Sequence, residues 1–245
     1  TKYMARLEQH WGKEFVQQNT RAAPRVLVTS FSAEEWTRVN FMLCLTALKT
    51  GTDFQFSYFH VTRLPIHMAR QLAATKALDE GYDYLMMIDD DMIFMPDTLT
   101  KLMQHMNADQ DVVLVNALAY GRKPPYHTCV FMQGRNGLSY DNMEGIEGRG
   151  LLEVDGTGLS CCLVRVDALR VLRDQYTKDL RANIDGTGAD ALAAARDRGE
   201  RFFGAFEKLG EDLFFCRRLK DAGFKVHVDT SMVIGSKPVE CWVIE

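Results

Sequence analysis

The sequence predicts an α/β fold with a mostly parallel central sheet flanked by helices. Through about residue 118, short apolar runs rich in branched residues alternate with segments whose apolar residues recur at helical spacing. Strands that alternate with helices pair in parallel and bind ligands beyond their carboxyl ends. From residue 119 to 150 the pattern changes to glycine, proline and aromatic residues, which predicts loops and short strands of a smaller antiparallel region.

The first half of the chain contains four predicted strands with a helix in each interval. The third strand is continuously apolar, which is typical of a strand inside a sheet that is covered on both faces. The predicted strands are 25–30, 54–61, 84–88 and 111–115, and the helices between them are 36–48, 65–81 and a segment that begins at 96.

The second half is predicted to add strands at 151–154 and 159–166 and a helix that begins at 166. A last helix, 211–222, ends at Gly223 as a C-cap glycine should, and a strand at 224–228 follows. The polar segment from about 176 to 204 is interpreted as a mobile loop or lid.

Composition points to no macromolecular partner. The 245 residues carry a formal charge of −4, so there is no general attraction to nucleic acid or anionic lipid, and neither partner is predicted. The 6 cysteines lack the CxxC pairs of a zinc site and the spacing of a disulfide framework, so we interpret them as reduced. The sequence shows no signal-peptide pattern and no segment of membrane-spanning length, and we therefore expect a cytoplasmic protein.

Asp89, Asp90 and Asp91 directly follow the third predicted strand. Three adjacent carboxylates repel one another, and a divalent cation offsets that repulsion. Because side chains alternate along an extended chain, Asp89 and Asp91 are expected on one side and Asp90 on the other. Mg²⁺ or Mn²⁺ held by two carboxylates completes its shell with water and phosphate oxygens, as on a nucleotide diphosphate. The alternative is an acidic loop that caps the helix near Pro96.

With this triplet the sequence resembles the A-fold nucleotide-sugar glycosyltransferases, particularly family 2, whose Asp-X-Asp motif ends such a strand. Other features of the family follow in the right order from Val26 to Ser236. They are an arginine in the preceding helix at Ala69-Arg70-Gln71, the acceptor-side Asp155-Gly156-Thr157-Gly158, and Gly210-Glu211-Asp212, which is similar to the family's X-Glu-Asp motif.

The resemblance implies one Rossmann-like glycosyltransferase A-type domain over residues 1–245. A nucleotide-sugar-binding half is expected at 24–118, and an acceptor-binding and catalytic half at 119–245. The implied donor is a UDP- or GDP-sugar, and the implied cofactor is Mn²⁺ or Mg²⁺ on Asp89 and Asp91, with Asp89 and Asp90 also in contact with the donor.

Several residues have both a functional and a structural interpretation. Arg70 is placed by the resemblance near the donor, but an arginine on an amphipathic helix also serves in surface ion pairs. Thr29, Ser30 and Phe31 end the first strand, where amides and hydroxyls meet a nucleotide's base or ribose. Gly156, Thr157 and Gly158 are assigned to the acceptor side, although a tight turn alone explains the glycines.

The X-Glu-Asp motif supplies the predicted catalytic group. In inverting members of the family its aspartate is the general base, which assigns this role to Asp212, with Glu211 as its neighbour. Capping of the last helix is the structural explanation for both carboxylates. The resemblance therefore implies a hexosyltransferase-like enzyme that transfers a sugar to an acceptor hydroxyl with inversion.

The sequence departs from the family at Ser236, where many relatives have a metal-binding histidine. His227, on the last predicted strand, is the candidate substitute ligand, or else a structural histidine. Two other functions stay open: a nucleotidyl or phosphoryl transferase, which also uses strand-end aspartates with a metal, and a nucleotide-sugar-binding module without turnover.

Overall fold

The computed structural model describes residues 24–35, 37–48, 54–134, 139–184, 202–204 and 209–235. The helices are α1 Val39–Ala47, α2 Ile66–Asp79, α3 Thr98–Ala108, α4 Val166–Ile184 and α5 Glu211–Asp221. The strands are β1 Arg25–Ser32, β2 Gln55–Thr62, β3 Tyr84–Asp89, β4 Val112–Leu118, β5 Val130–Gln133, β6 Tyr140–Asn142, β7 Leu151–Val154, β8 Gly156–Thr157, β9 Cys161–Arg165 and β10 Lys225–Val233.

A sheet of 7 strands, in the order β2-β1-β3-β9-β4-β10-β7, forms the centre of the fold. Strand β9 runs antiparallel to both of its neighbours, β3 and β4, and β7 runs antiparallel to β10. The remaining five strands point the same way, which confirms the predicted mostly parallel α/β sheet. The insertion of β9 between β3 and β4 was not predicted, because pairing between distant strands leaves no local pattern.

Both faces of the sheet are buried, which explains the continuous apolar run in β3. Leu85 and Met87 face a cluster that contains residues of α2, α4 and α5. Met86 and Ile88 face a second cluster with residues of α1 and α3. Side chains that alternate between two apolar layers must all be apolar, so the strand loses the polar alternation of a half-exposed sheet.

A smaller antiparallel sheet, in the order β6-β5-β8, lies on the second half of the chain, as predicted. Gly156 and Thr157 form β8 rather than a tight turn, and Thr157 pairs with Val130. A Cβ atom on Gly156 would lie 2.4 Å from Leu213 Cδ2. A side chain at position 156 would therefore have to displace the end of the Leu213 side chain, where β8 approaches α5.

The predicted lid at 176–204 is corrected at both of its ends. Helix α4 continues to Ile184, and Phe202 and Phe203 are each 1% exposed in the core. Phe203 packs on Phe215 with ring centroids 4.5 Å apart, so the end of this segment is anchored by aromatic burial. The intervening residues 185–201 lie outside the described part of the chain.

The last helix ends as predicted, since Gly223 has a φ of +80° after Asp221. The five cysteines within the described residues are free thiols. Among the described helices, none combines the length and the apolar character needed to cross a membrane.

Candidate active site

The aspartate triplet lies at the carboxyl end of β3, where the parallel strands of the sheet end together. Strand β3 ends at Asp89, and the next two aspartates form a turn, so the simple alternation of an extended chain stops there. The Asp90 N–H donates to the Phe31 carbonyl at 3.3 Å, and the Asp89 N–H donates to the Ser160 carbonyl at 2.9 Å. These bonds fix the turn between β1 and the segment that precedes β9.

Arg70 joins the triplet to the second acidic motif. Its Nη2 donates to Asp89 Oδ1 at 2.9 Å, and its Nη1 donates to Glu211 Oε1 at 2.6 Å. Nη2 also donates to the Leu159 carbonyl at 3.2 Å. The Arg70 side chain is only 4% exposed, so it is a buried bridge between two motifs and not a surface ion pair.

The charges of this bridge stabilise one another. Burial works to lower the pKa of Arg70, but the negative charges of Asp89 and Glu211 outweigh it and the pKa is raised. Burial raises the pKa of Asp89, opposed by Arg70 and reinforced by Asp91. Asp89 therefore shares its charge with Arg70 and is also affected by the charge of Asp91, the other predicted metal ligand.

Asp91 makes a different kind of ion pair. Its Oδ2 lies 2.5 Å from Arg122 Nη2, and the two side chains are 4% and 63% exposed, respectively. Its Oδ1 is buried without a hydrogen-bond partner in the described part of the chain. Burial raises the pKa of Asp91, while Arg122 and then Arg38 lower it. One oxygen of a buried carboxylate is thus left for a further cation.

Asp212 lies in the first turn of α5, beside Glu211. Its Oδ1 accepts the Leu213 N–H at 2.8 Å, and its Oδ2 lies 3.8 Å from the position of a Cβ atom on Gly158. Burial raises the pKa of Asp212, and the charge of Glu211 adds to the shift. Gly158 therefore leaves space beside a carboxylate that binds protons more readily than an ordinary aspartate.

Of the three predicted acceptor-side residues, Gly156 and Thr157 pack inside the fold, and Gly158 lies beside Asp212. Thr157 is fully buried, accepts a hydrogen bond from Asn116 Nδ2 at 2.9 Å and thereby links β8 to β4. The Gly158 N–H donates to the Cys129 carbonyl at 2.8 Å. Gly158 is the one of this group that borders Asp212, whereas Gly156 packs under Leu213.

The end of β1 has a polar cluster that comprises Ser30, Tyr58 and His60. Ser30 Oγ lies 2.6 Å from both Tyr58 Oη and His60 Nδ1. Burial raises the pKa of Tyr58, the hydrogen bond with Ser30 lowers it, and the charge of Asp90 adds to the rise. Thr29, in contrast, is fully buried and donates from Oγ1 to the Met86 carbonyl at 2.9 Å.

Sequence analysis missed Tyr58, His60 and Arg122. The first two belong to β2, which was predicted as a strand without a role in the site. Arg122 follows β4 closely, and a basic residue just beyond the carboxyl end of a parallel strand is a signal that would have found it.

His227 is not brought to the triplet. His227 belongs to β10, where its Cα pairs with that of Val115 in β4. Strand β10 is three strand spacings from β3, which is roughly 14 Å. Burial lowers the pKa of His227, and its strongest charged neighbours are Glu153 and Lys225. Ser236 lies outside the described residues, among which no group of three or more His, Cys, Asp or Glu side chains is arranged to hold a metal.

Known proteins share this architecture. The model of the family described as "Glycosyl transferase family 2" matches residues 44–172, which is 129 of the 245 residues. The structure of A197 from STIV has a TM-score of 0.50 and 15% identity, and the match covers 85% of this chain and 83% of that one. The structure of GalNAc-T7 with UDP, GalNAc and Mn²⁺ has a TM-score of 0.54 and 12% identity. That match covers 88% of this chain but 44% of GalNAc-T7.

No curated protein sequence is significantly similar to this chain. At the identities of the two solved structures, the likeness is one of fold. It confirms the glycosyltransferase A-type fold that the resemblance implied.

Proposed function

The chain belongs to glycosyl transferase family 2, and from that premise we propose that it transfers a sugar from a nucleotide-diphosphate sugar to an acceptor hydroxyl, with inversion. The arrangement that supports this is the Arg70 bridge. It joins Asp89, at the end of β3, to Glu211, the neighbour of Asp212, at 2.9 and 2.6 Å. The proposed diphosphate site and the proposed base would thereby be adjacent, as a direct displacement requires.

Asp91 and Asp89 would hold the metal, Mn²⁺ or Mg²⁺. The residues fit such an ion, because hard cations take carboxylate oxygens and Asp91 Oδ1 is buried without a hydrogen-bond partner in the described structure. When bound, the ion would offset the negative charge that develops on the departing nucleotide diphosphate. His227 is left out of the proposed ligands because β10 lies three strands away from β3.

The proposed donor is a UDP- or GDP-sugar, bound by the half of the domain at 24–118. Asp90 and the polar cluster of Ser30, Tyr58 and His60 offer hydroxyl, imidazole and carboxylate groups to a base or ribose. Tyr58 is 39% exposed and is the accessible member of this cluster, whereas Ser30 is fully buried and orients it. The Thr29 hydroxyl is not among the proposed contacts, because it is already bonded inside the sheet.

The half at 119–245 would bind the acceptor and supply the base. Glu211 is engaged by Arg70, whereas Asp212 keeps Oδ2 beside Gly158 and has a raised pKa. A base with a pKa nearer the working pH is more effective. Asp212 would take the proton of the acceptor hydroxyl while the acceptor oxygen attacks the anomeric carbon and the bond from that carbon to the diphosphate breaks.

A panel of UDP- and GDP-sugars tests this function. Each sugar is incubated with the protein in Mn²⁺, in Mg²⁺ or in a chelator, and the products are separated by chromatography. We expect slow, metal-dependent release of nucleoside diphosphate from one donor. Asp91→Asn should abolish it, and Asp97→Asn, which removes a partly exposed carboxylate nearby, should not.

The products also identify the competing functions. Release of sugar phosphate with transfer of the nucleotide would contradict sugar transfer and indicate a nucleotidyl transferase. Binding of a donor without release in the presence of any acceptor tested would indicate a binding module.

A further inference from the structure

We propose that Arg122 is an exchangeable counter-charge of Asp91: without a metal it pairs with this carboxylate, the metal displaces it, and its guanidinium then pairs with the donor diphosphate. The inference rests on the proposed function. It starts from the ion pair in which Arg122 Nη2 lies 2.5 Å from Asp91 Oδ2.

The two arginines that contact the triplet differ in how firmly they are held. Arg70 is 4% exposed and makes two ion pairs, so its removal from Asp89 would leave a charge buried. Arg122 is 63% exposed, and its guanidinium can return to water at little cost. Asp91 is the buried partner, and its negative charge needs a cation beside it, which can be either the Arg122 guanidinium or a metal ion.

The loop that carries Arg122 is anchored at its base. Tyr120 pairs with Thr128 in an isolated β-bridge, and the Gly121 N–H donates to the His127 carbonyl at 2.8 Å. His127 Nδ1 lies 2.8 Å from Glu144 Oε1 on the neighbouring loop. With the backbone held, the exchange needs only rotation of one long side chain, and the guanidinium stays within reach of a ligand at Asp91.

The chemistry of the three groups determines the exchange. A divalent cation at Asp91 Oδ1 and the Arg122 guanidinium at Oδ2 would repel each other across one carboxylate, because both are positive. A diphosphate that shares the metal brings negative oxygens to the displaced guanidinium, which binds phosphate well. A metal that binds alone therefore breaks the ion pair between Arg122 and Asp91 and leaves Arg122 without a new partner. A metal that binds together with a nucleotide gives Arg122 the diphosphate as its new partner.

The test measures Mn²⁺ binding and nucleotide binding separately. Free Mn²⁺ is followed by electron paramagnetic resonance without nucleotide, and UDP and GDP affinity in saturating Mn²⁺ is measured by calorimetry. We expect Arg122→Gln to bind Mn²⁺ alone about fivefold more tightly, the upper range for a partly exposed ion pair. The same variant should bind the preferred nucleotide several-fold more weakly, and Arg122→Lys should lie between it and the wild type.

Lys123→Gln is the matched control, because it removes the same charge from the next, exposed position of the loop. Equal effects of Lys123→Gln and Arg122→Gln would overturn the inference, since net charge alone would then explain them. Unchanged or weaker Mn²⁺ binding by Arg122→Gln would also overturn it. Melting temperatures verify that each variant is folded.

Asp91→Asn separates this inference from the proposed function. If Asp91→Asn weakens Mn²⁺ binding but Arg122→Gln has no effect, only the exchange is wrong. If Asp91→Asn changes nothing, with or without UDP or GDP, the metal assignment fails and the exchange fails with it.

Discussion

Arg70 Nη1 lies 2.6 Å from Glu211 Oε1, although 141 residues separate the two in the chain. Arg70 comes from α2, which precedes β3, and Glu211 begins α5. The contact forms because both helices contribute to the same apolar cluster on one face of the sheet. Through Arg70, the residues expected at the donor and those expected at the acceptor are held in one rigid arrangement.

Replacement of Arg70 should therefore damage the fold as well as the site. We expect Arg70→Met to lower the free energy of unfolding by about 3 kcal/mol or more, because it leaves partly buried carboxylates without their cation. Urea denaturation measures the loss. The control is Arg63→Met, which removes an ion pair to Glu35 whose side chains are both 66% exposed. That change should cost about 1 kcal/mol or less, and similar losses in both variants would contradict a special role for the buried bridge.

Asp91 and Asp89 should differ in what their removal costs. Asp91→Ala should abolish metal-dependent donor binding at nearly wild-type stability, because its partner Arg122 is exposed. Asp89→Ala should weaken donor binding less but lower the free energy of unfolding by about 1–3 kcal/mol, since it takes a partner from buried Arg70. Calorimetry with donor and Mn²⁺, paired with urea denaturation, checks both. Unchanged donor affinity in the two variants would rule out the metal site.

The protein should purify largely free of metal. Only two carboxylates are proposed as ligands, and one oxygen of each is already paired with an arginine. Metal analysis of nucleotide-free protein by mass spectrometry tests this. A stoichiometric, tightly bound ion would reveal a missed ligand, and Ser236, at the position of the family's histidine, would be the first residue to mutate.

The raised pKa of Asp212 predicts a specific dependence on pH. Transfer should fall on the acid side with an apparent pKa above 3.8, the ordinary value, because the base must be ionised. The folded protein also holds this proton more tightly than the unfolded chain does. The contribution of Asp212 to stability should thus decline as pH rises from 3.8 through the raised pKa.

Two measurements follow: kcat/KM as a function of pH, and urea denaturation of wild type and Asp212→Asn across the same range. The difference in stability between them should shift in favour of the variant as pH rises. An acid limb at the ordinary aspartate pKa would show that burial does not perturb this group in the working enzyme.

The strands and helices were largely predictable because their apolar periodicity is local. The run 84–88 is continuously apolar, as is typical of a covered strand, and Gly223 follows the last helix, as is typical of a C-cap glycine. The position of β9 was not predictable, since antiparallel pairing with both β3 and β4 depends on contacts far apart in sequence. The lid prediction misjudged Phe202 and Phe203, which are both buried, and Phe203 packs on Phe215 of α5, a contact between segments that no local pattern reveals.

The same distinction holds for the site. The triplet was predicted as a site from residue type and its position at the end of a strand, whereas the role of Asp212 was predicted from the resemblance to the X-Glu-Asp motif. Arg70 had two interpretations until the structure placed it between Asp89 and Glu211. Arg122 was missed, because its partner is set by the path of a glycine- and proline-rich loop with no readable periodicity.

Asp212→Asn should remove transfer to the acceptor while it nearly preserves donor affinity. The base acts on the acceptor proton and need not touch the diphosphate. Asparagine has the same size, and its oxygen can still accept the Leu213 N–H that Asp212 Oδ1 accepts at 2.8 Å. The change therefore isolates basicity from structure, and the expected loss of turnover is about a hundredfold or more.

Glu211→Gln is the companion variant, and for it the structure predicts a larger loss of stability and a smaller loss of turnover than for Asp212→Asn. Loss of its charge weakens the ion pair with Arg70, so the melting temperature should fall, while turnover should fall less than in Asp212→Asn. The two variants thus separate the positioning carboxylate from the base. Wild-type turnover in Asp212→Asn at matched stability would show that Asp212 is not the base, and a larger loss in Glu211→Gln would transfer that role to Glu211.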